Sequence, residues 1–372
     1  VLKDQIIISL GSNLGDRMEF LHKALALLEA YPISVKQLSQ VYETPAWGFE
    51  STPFYNACAS LDTTLDPQAL LEVFLEIEQQ LGRYREPDSG YAARTIDLDL
   101  LFYKNEIICT SDLKVPHPKL HQRNFVLKPL SEIAPSLTHP ILFQTVEQLV
   151  AQSPDPAEVI PLKYNLGLPP ILKVFPYIAI EGNIGVGKTT LASLIAKYYQ
   201  VVLHTEAFAE NPHLEDFYQN PEAHALQVET YFLNDRFEKD TLFWEKEPEA
   251  VIADFCLHKC LVFAAENLSS DEFETYREKF DLEIEQKKKP SLLLFLKASV
   301  VHLKKQIQTR GRSFEQGIEE SYLEQIEAGY RRLLNSNLPF PVLEIDVDRI
   351  DFEKNEYAFQ KILRAVFRAS FS

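Results

Sequence analysis

The stretch Gly182-Asn-Ile-Gly-Val-Gly-Lys-Thr limits what this 372-residue chain can fold into more than any other. It follows an apolar strand, Tyr177–Ile180, and leads into a helical period over Lys188–Tyr199. A strand, a glycine turn and a helix in that order aim backbone N–H groups, and the positive end of a helix, at a phosphate. Lys188 then reaches the outer phosphates and Thr189 a Mg²⁺ ion. A glycine turn without function is the bland alternative, and the correct flanks on both sides weigh against it. Downstream, strands Val201–His204, Ala250–Ala253, Ser291–Leu296 and Pro341–Ile345 alternate with helical periods, which implies a parallel sheet covered on both faces.

The upstream half has another rhythm. Strand Ile6–Leu10, helix Arg17–Ala30, strands Val35–Thr44 and Tyr55–Thr63, helix Pro67–Leu81 and strand Thr95–Tyr103 make βαββαβ, the split pattern of a ferredoxin-like α/β sandwich. Between the halves, Ser153–Pro176 carries six prolines and no sustained period. The expectation is a domain over 1–160, a proline-rich linker over 161–175 and a second domain over 176–372, folding separately. No apolar run approaches the roughly 18 residues of a spanning helix, and no basic segment precedes a long apolar one, so neither membrane nor secretion is expected. Four scattered cysteines suit a reducing cytoplasm, and Cys256 and Cys260 read as small apolar residues on one helix face. A net charge of −17 argues against a nucleic-acid groove; a phosphate site here must concentrate its positive charge locally and borrow Mg²⁺.

On the strand Thr95–Tyr103, Asp97 and Asp99 share one face, their Cα atoms about 7 Å apart. Two such carboxylates can hold hard cations against a triphosphate. An exposed polar face of an edge strand is the ordinary reading of an isolated Asp-x-Asp. Arg83, Arg85 and Arg94 in the preceding loop shift the balance, because guanidinium groups match phosphate oxygens and can neutralise charge during transfer.

Seven separated elements then appear in order: Leu10–Asp16 (LGSNLGD), Tyr42–Gly48 (YETPAWG), Phe54–Ala57 (FYNA), Gly82–Arg85 (GRYR), Arg94–Asp99 (RTIDLD), Val115–Pro118 (VPHP) and Arg123–Leu127 (RNFVL). Together they resemble the hydroxymethyldihydropterin pyrophosphokinases of folate biosynthesis, over about residues 5 to 162. The resemblance implies transfer of pyrophosphate from ATP to the pterin hydroxymethyl oxygen with release of AMP. It assigns Thr44, Pro45, Gly48, Asn56 and the aromatics Phe54 and Phe125 to the pterin, and Glu78, Arg85, Arg94, His117 and Arg123 to ATP. Arg83 and Arg94 become catalytic, and Asp97 and Asp99 ligands to two Mg²⁺. One departure is Tyr91-Ala92-Ala93 where the family has Trp-Gly-Pro; Tyr91 can still cover a nucleotide, on a loop of altered stiffness.

In the second half, Ile180–Gly185, Arg310–Gln316 (RGRSFEQ) and Tyr322–Ile326 (YLEQI) around the P-loop resemble the deoxynucleoside kinases over about 176 to 350. That implies a P-loop parallel-sheet α/β kinase domain in which Gly182, Gly185, Gly187, Lys188 and Thr189 hold ATP with one Mg²⁺. Arg310 and Arg312 match lid arginines, and Glu206 the acceptor of a 5′-hydroxyl proton. Ala253-Asp254-Phe255 replaces the family's Glu/Asp-Arg-Ser, so Asp254 is read as a carboxylate organising the metal. Glu229 takes the place of a base-reading Gln, with Arg236 two helical turns on, which favours a purine. The resemblance leaves a homodimer through this domain open. Two other readings stand beside it: a P-loop phosphotransferase or ATPase of different substrate, and a nucleotide sensor, which would need no proton acceptor.

Overall fold

The computed structural model describes residues 5–83, 92–206, 211–312, 315 and 317–371, without the side chains of 215, 218, 219 and 221. The chain divides into two compact units, Val1–Pro169 with Tyr357–Ser372, and Pro170–Glu356. No helix among the described residues is long and apolar enough to cross a membrane.

The first unit runs β1 (Ile6–Ser12), α1 (Arg17–Leu28), β2 (Ile33–Leu38), β3 (Val41–Thr44), β4 (Phe54–Thr63), α2 (Pro67–Gln80), β5 (Asp97–Tyr103), β6 (Ile108–Cys109), β7 (Lys114–Val115), α3 (Asn124–Ile133), α4 (Val146–Gln152) and β8 (Ile160–Leu162). Its antiparallel sheet has the order β5-β1-β4-β3-β8, with β2 also on β4. This is the ferredoxin-like order with one added edge strand. The expected strand over 35–44 is two strands. Register shifts between Val35 and Gln37, and the pair separates at Ser39, whose N–H donates to Cys58 O while its Oγ accepts from Cys58 N. The first residues of the expected linker are β8, which pairs with β3; Pro161 is tolerated because it lies on an edge.

Alternation decides what each sheet face does. Ile6, Ile8, Leu10, Leu98 and Leu100 point toward α1 and α2. Ile7, Cys58 and Leu101 point the other way and are covered by α3 and α4 through Val126, Leu130 and Leu149. Farther along that second face the same period brings Ser9, Gly11, Asn56, Asp97 and Asp99 together, paired Gly11 with Asn56 and Asp97, and Ser9 with Asp99. One face is thus apolar where helices cover it and polar where they do not.

The second unit runs α5 (Ile171–Val174), β9 (Tyr177–Gly182), α6 (Lys188–Tyr199), β10 (Val202–His204), α7 (Leu214–Gln219), α8 (Pro221–Trp244), β11 (Val251–Ala253), α9 (Lys259–Asn267), α10 (Ser270–Ile284), β12 (Leu292–Lys297), α11 (Val300–Arg310), α12 (Glu320–Leu334) and β13 (Val342–Asp346). The strands are parallel in the order β10-β11-β9-β12-β13. β9 is buried at every position, as a central strand covered on both faces must be. The chain leaves β9 toward β10 and β11 on one side and returns to β12 on the other, so a crevice opens at the strands' carboxyl ends. Gly182, Glu206 and Asp254 lie at or just beyond the ends of β9, β10 and β11.

From Tyr357 on, the final helix, α13 (Glu356–Arg368), groups with the first compact unit. Phe359, Ile362, Leu363 and Val366 recur at 3.6-residue spacing and are buried. Arg364, 1 % exposed, forms a two-pronged pair with Glu29 of α1, Nε to Oε2 at 2.8 Å and Nη2 to Oε1 at 3.0 Å. Beside it burial, and then the charge of Arg364, lower His22 to about 4. Arg364→Ala leaves the Glu29 carboxylate buried and unpaired, and is expected to destabilise the first unit by about 3–5 kcal/mol. Changing both partners to Met is expected to restore most of that loss. The two tryptophans, Trp47 and Trp244, make the measurement direct: in a Trp244→Phe background, urea unfolding followed by Trp47 fluorescence reports the first unit. An unchanged midpoint for Arg364→Ala would show that α13 does not hold this unit together.

Candidate active sites

The polar end of the first sheet opens into a cavity of about 360 Å³. Thr44, Pro45, Phe54, Asn56, Arg83, Arg94, Asp97, Asp99, His117, Arg123 and Phe125 all line it. Asn56 Nδ2 donates to Thr44 Oγ1 at 2.8 Å, which fixes the amide across the floor. Gly48 is not in the lining; its φ of 82° turns the loop that carries Trp47 and Phe49, which are. Arg123 stacks 4.7 Å above the Trp47 ring centroid and 5.5 Å from that of Phe125. Arg85 and Tyr91 lie outside the described residues.

Charge is balanced tightly here. Asp97 pairs with Arg83 and with Arg94, the latter at 3.1 Å. Glu78 does not line the cavity: it is 2 % exposed, accepts from Leu98 N at 2.9 Å and pairs with Arg83, so it positions that arginine and the start of β5. Burial, and then the charge of Asp97, push the Asp99 carboxyl up to about 7. Two crowded carboxylates of this kind suit a divalent cation, which would relieve their repulsion and take its remaining oxygens from water and phosphate. Burial, then Arg123, lowers His117 to about 4, leaving a neutral ring. Two contributors were not singled out from the sequence. Asn13 accepts from Arg94 N at 2.7 Å and donates its own N–H to Arg94 O at 3.0 Å, tying the Arg94 loop to β1. Lys119 lines the cavity and adds a cation. Asn13 sits inside the quoted Leu10–Asp16 element, so its signal was present; Lys119 carried none.

In the second unit, Gly182, Gly185 and Gly187 have φ of 148°, 84° and 100°, and Gly187 is the N-cap of α6. A side chain at Gly185 would meet Leu303 O at 3.1 Å, so the loop needs glycine there. Lys188 Nζ donates to Gly182 O at 2.7 Å and Asn183 O at 3.1 Å, curled over its own loop, and burial, then Lys259, lowers it to about 8. Thr189 Oγ1 donates to Asp254 Oδ2 at 2.6 Å, and Glu206 N to Asp254 Oδ1 at 2.8 Å. Asp254 therefore bridges the phosphate loop and the Glu206 loop, and burial raises its carboxyl. A hydroxyl and a carboxylate side by side are the donor set a Mg²⁺ ion takes in P-loop sites.

Glu206 is held from both sides. Its Oε1 accepts from Arg236 Nε at 2.8 Å and Nη2 at 2.6 Å, and its Oε2 from Lys259 Nζ at 2.7 Å. Burial by itself would raise this carboxyl; Lys259 and Arg236 outweigh it and hold it well below the usual range. Arg236 also donates to Cys260 Sγ at 3.1 Å, so the expected nucleoside contact is engaged with Glu206 and the α9 start. Arg310 and Arg312 both pair with the buried Glu315, Arg312 at 3.2 Å. Glu229 lines the same cavity as Lys188, Glu206 and the two arginines. Sequence reasoning passed over Lys259 and Glu315. Lys259 stands five residues past Asp254 at the first position of an apolar helix, where a lysine reads as a solvated end; only its 5 % exposure reveals the ion pair.

Paired carboxylates among arginines at one cavity, and a phosphate loop with a doubly held carboxylate at the other, define an enzyme that transfers phosphate-containing groups at two sites. A model of the deoxynucleoside kinase family matches residues 178–371, and one of the 7,8-dihydro-6-hydroxymethylpterin-pyrophosphokinase family matches residues 7–135. A deoxyguanosine kinase of Bacillus subtilis (strain 168) is 37% identical over 194 residues, 50% of this chain and 94% of that protein. A 2-amino-4-hydroxy-6-hydroxymethyldihydropteridine pyrophosphokinase of Aquifex aeolicus (strain VF5) is 43% identical over 137 residues, 37% of this chain and 84% of that protein. One of the same name from Porphyromonas gingivalis is 44% identical over 138 residues, 36% of this chain and 93% of that protein. The chain belongs to both families and is a bifunctional transferase, a hydroxymethylpterin pyrophosphokinase followed by a deoxynucleoside kinase, each acting with ATP.

Proposed function

We propose that the first site transfers the β,γ-pyrophosphoryl group of ATP to 6-hydroxymethyl-7,8-dihydropterin. The observation that carries this is the juxtaposition, on one sheet face, of Asp97 and Asp99 with the Asn56–Thr44 pair and the aromatic wall. Asn56 and the loop after β3 present donors and acceptors to the pterin edge, and Phe54 and Phe125 its faces. The hydroxymethyl oxygen attacks the β-phosphorus as the bond to the α-phosphate oxygen breaks; AMP leaves and the hydroxyl proton is lost to water. Two Mg²⁺ at Asp97 and Asp99 would supply Lewis-acid stabilisation of the phosphate oxygens when bound. Arg83 and Arg94, which line the cavity beside Asp97, neutralise charge on the transferring group, while Arg123 and His117 hold ATP.

The second site, in this reading, moves the γ-phosphoryl group of ATP to the 5′-hydroxyl of a purine deoxynucleoside. Lys188 leaves its own loop carbonyls for the outer phosphates, Thr189 and Asp254 are suited to one Mg²⁺, and Arg310 and Arg312 swing from Glu315 as a lid. Glu206 takes the hydroxyl proton, ADP leaves, and Lys259 supplies the positive charge that the missing family arginine would give. The full chain incubated with ATP and Mg²⁺ is expected to form AMP only when hydroxymethyldihydropterin is added, and ADP only when a deoxynucleoside is added. A panel of the common deoxynucleosides in which none stimulates ADP formation overturns the second assignment, and absence of pterin-dependent AMP the first.

A further inference from the structure

Glu229 of α8 is 2 % exposed and lines the same cavity as Lys188 and Glu206. Its two oxygens are not equivalent. Oε1 accepts from Asn267 Nδ2 at 2.7 Å; Oε2 has no hydrogen-bond partner among the described residues. Tyr322 donates its hydroxyl to Asn267 Oδ1 at 3.2 Å, which turns the Asn267 amino group toward Glu229. Oε1 is therefore committed as an acceptor in either charge state, and Oε2 is the atom that gains or loses a proton. Leu214, Phe217 and Phe232 supply apolar walls to the same cavity, as a flat base requires.

We propose that the protonation state of Glu229 selects the purine base taken by the second site, the ionised carboxylate pairing with guanine and the protonated acid with adenine. This rests on the deoxynucleoside kinase reading of that site. Guanine presents two neighbouring donors on its pairing edge, N1–H and the 2-amino group, which match two acceptor oxygens. Adenine presents one donor, the 6-amino group, beside one acceptor, N1. That edge matches Oε1 as acceptor and Oε2–H as donor, the arrangement Asn267 imposes on the neutral acid.

The surroundings place the switch in an accessible range. Glu229 is faced by Arg236 on its own helix, by Lys259, Cys260 and Asn267 of α9, by Glu206 after β10, by Tyr276 of α10 and by Tyr322 of α12. Arg310, Arg312 and Glu315 border the same cavity. Burial raises the carboxyl, the Asn267 hydrogen bond and the charges of Arg236 and Lys259 oppose it, Glu206 adds to it, and the balance lies at about 7. Below that pH the acid form dominates and adenine is favoured; above it the carboxylate dominates and guanine is favoured.

The test is a competition assay on the full chain with ATP, Mg²⁺ and equal deoxyadenosine and deoxyguanosine, reading dAMP and dGMP from pH 6 to pH 8. The ratio of kcat/KM values cancels every ionisation common to both substrates, Lys188 and Glu206 included. For the wild type the guanosine-to-adenosine ratio is expected to rise by roughly tenfold per pH unit while Glu229 titrates, since kcat/KM follows the free enzyme's ionisation. Glu229→Gln carries one donor and one acceptor at every pH, so its ratio is expected to be flat. A flat wild-type ratio, or an E229Q ratio that tracks the wild type, overturns the proposal, and the wild-type profile decides even if the variant does not fold. Both nucleosides phosphorylated at a constant ratio sinks this inference alone; neither phosphorylated at any pH sinks the kinase reading with it.

Discussion

Asp97→Ala and Asp99→Ala are each expected to lower pterin-dependent AMP formation on the order of a thousandfold or more. The expectation follows from where the carboxylates stand. They point from β5 to the face opposite the α1–α2 core, so neither side chain packs the fold. Asp97 holds Arg83 and Arg94, and Asp99 is crowded by Asp97 and by burial. Transfer of a multiply charged pyrophosphoryl group needs those charges opposed within the cavity, and a net charge of −17 over the chain gives no help from outside it. Circular dichroism and thermal unfolding are expected to be close to wild type for Asp99→Ala. Asp97→Ala leaves two guanidinium groups without their shared partner, and Asp97→Asn, which keeps the shape, separates that effect from loss of the charge. Near-wild-type turnover in the alanine variants at ordinary magnesium would refute the assignment of these residues.

Glu206→Gln is expected to lower deoxynucleoside phosphorylation by about 10²–10⁴ in kcat with ATP affinity little changed. Glu206 lies past the end of β10, outside the phosphate loop itself, and is linked to it by hydrogen bonds through Asp254. With Lys259 and Arg236 both donating to it, the carboxylate is a weak base. It can still serve, because the hydroxyl proton becomes strongly acidic as the new P–O bond forms, and a proton accepted late needs a positioned acceptor more than a basic one. The amide of Gln cannot take that proton and also loses its charge against Lys259. Steady-state kinetics with saturating nucleoside, together with ATP binding by titration calorimetry, separates the two effects. A loss confined to ATP affinity would assign Glu206 to nucleotide binding instead.

Much of both sites was legible in the linear chain because their chemistry is written in short segments. Asp97 and Asp99 share a face by the period of a strand, and Gly182–Thr189 forms a phosphate cradle from its own backbone; neither needs a distant partner to be recognised. Asn56, Phe54 and Phe125 could be assigned only through the family resemblance, since one amide and two phenylalanines have no local signature. Residues that act through an ion pair were prominent among those missed. Lys259 and Glu315 look like ordinary surface charges until the fold brings Glu206 to the first and Arg310 to the second. Glu78, which the resemblance assigns to ATP, lies beneath the cavity, where it pairs with Arg83 and accepts from Leu98 N of β5.

The sequence by itself determined two alternating patterns, one antiparallel and split, one parallel around a phosphate loop, because apolar periodicity of 2.0 or 3.6 residues is a local property. Tertiary structure alone decided where the chain's last helix goes. The stripe of α13 announces a helix that buries one face, but an apolar face does not name its partner. Pairing Arg364 with Glu29, far apart in sequence and both removed from water, is a property of the assembled unit. The same holds inside the second site: Glu206 and Asp254 follow the ends of β10 and β11, Arg236 stands within α8 and Lys259 begins α9, and their charges acquire meaning only where the fold brings them together.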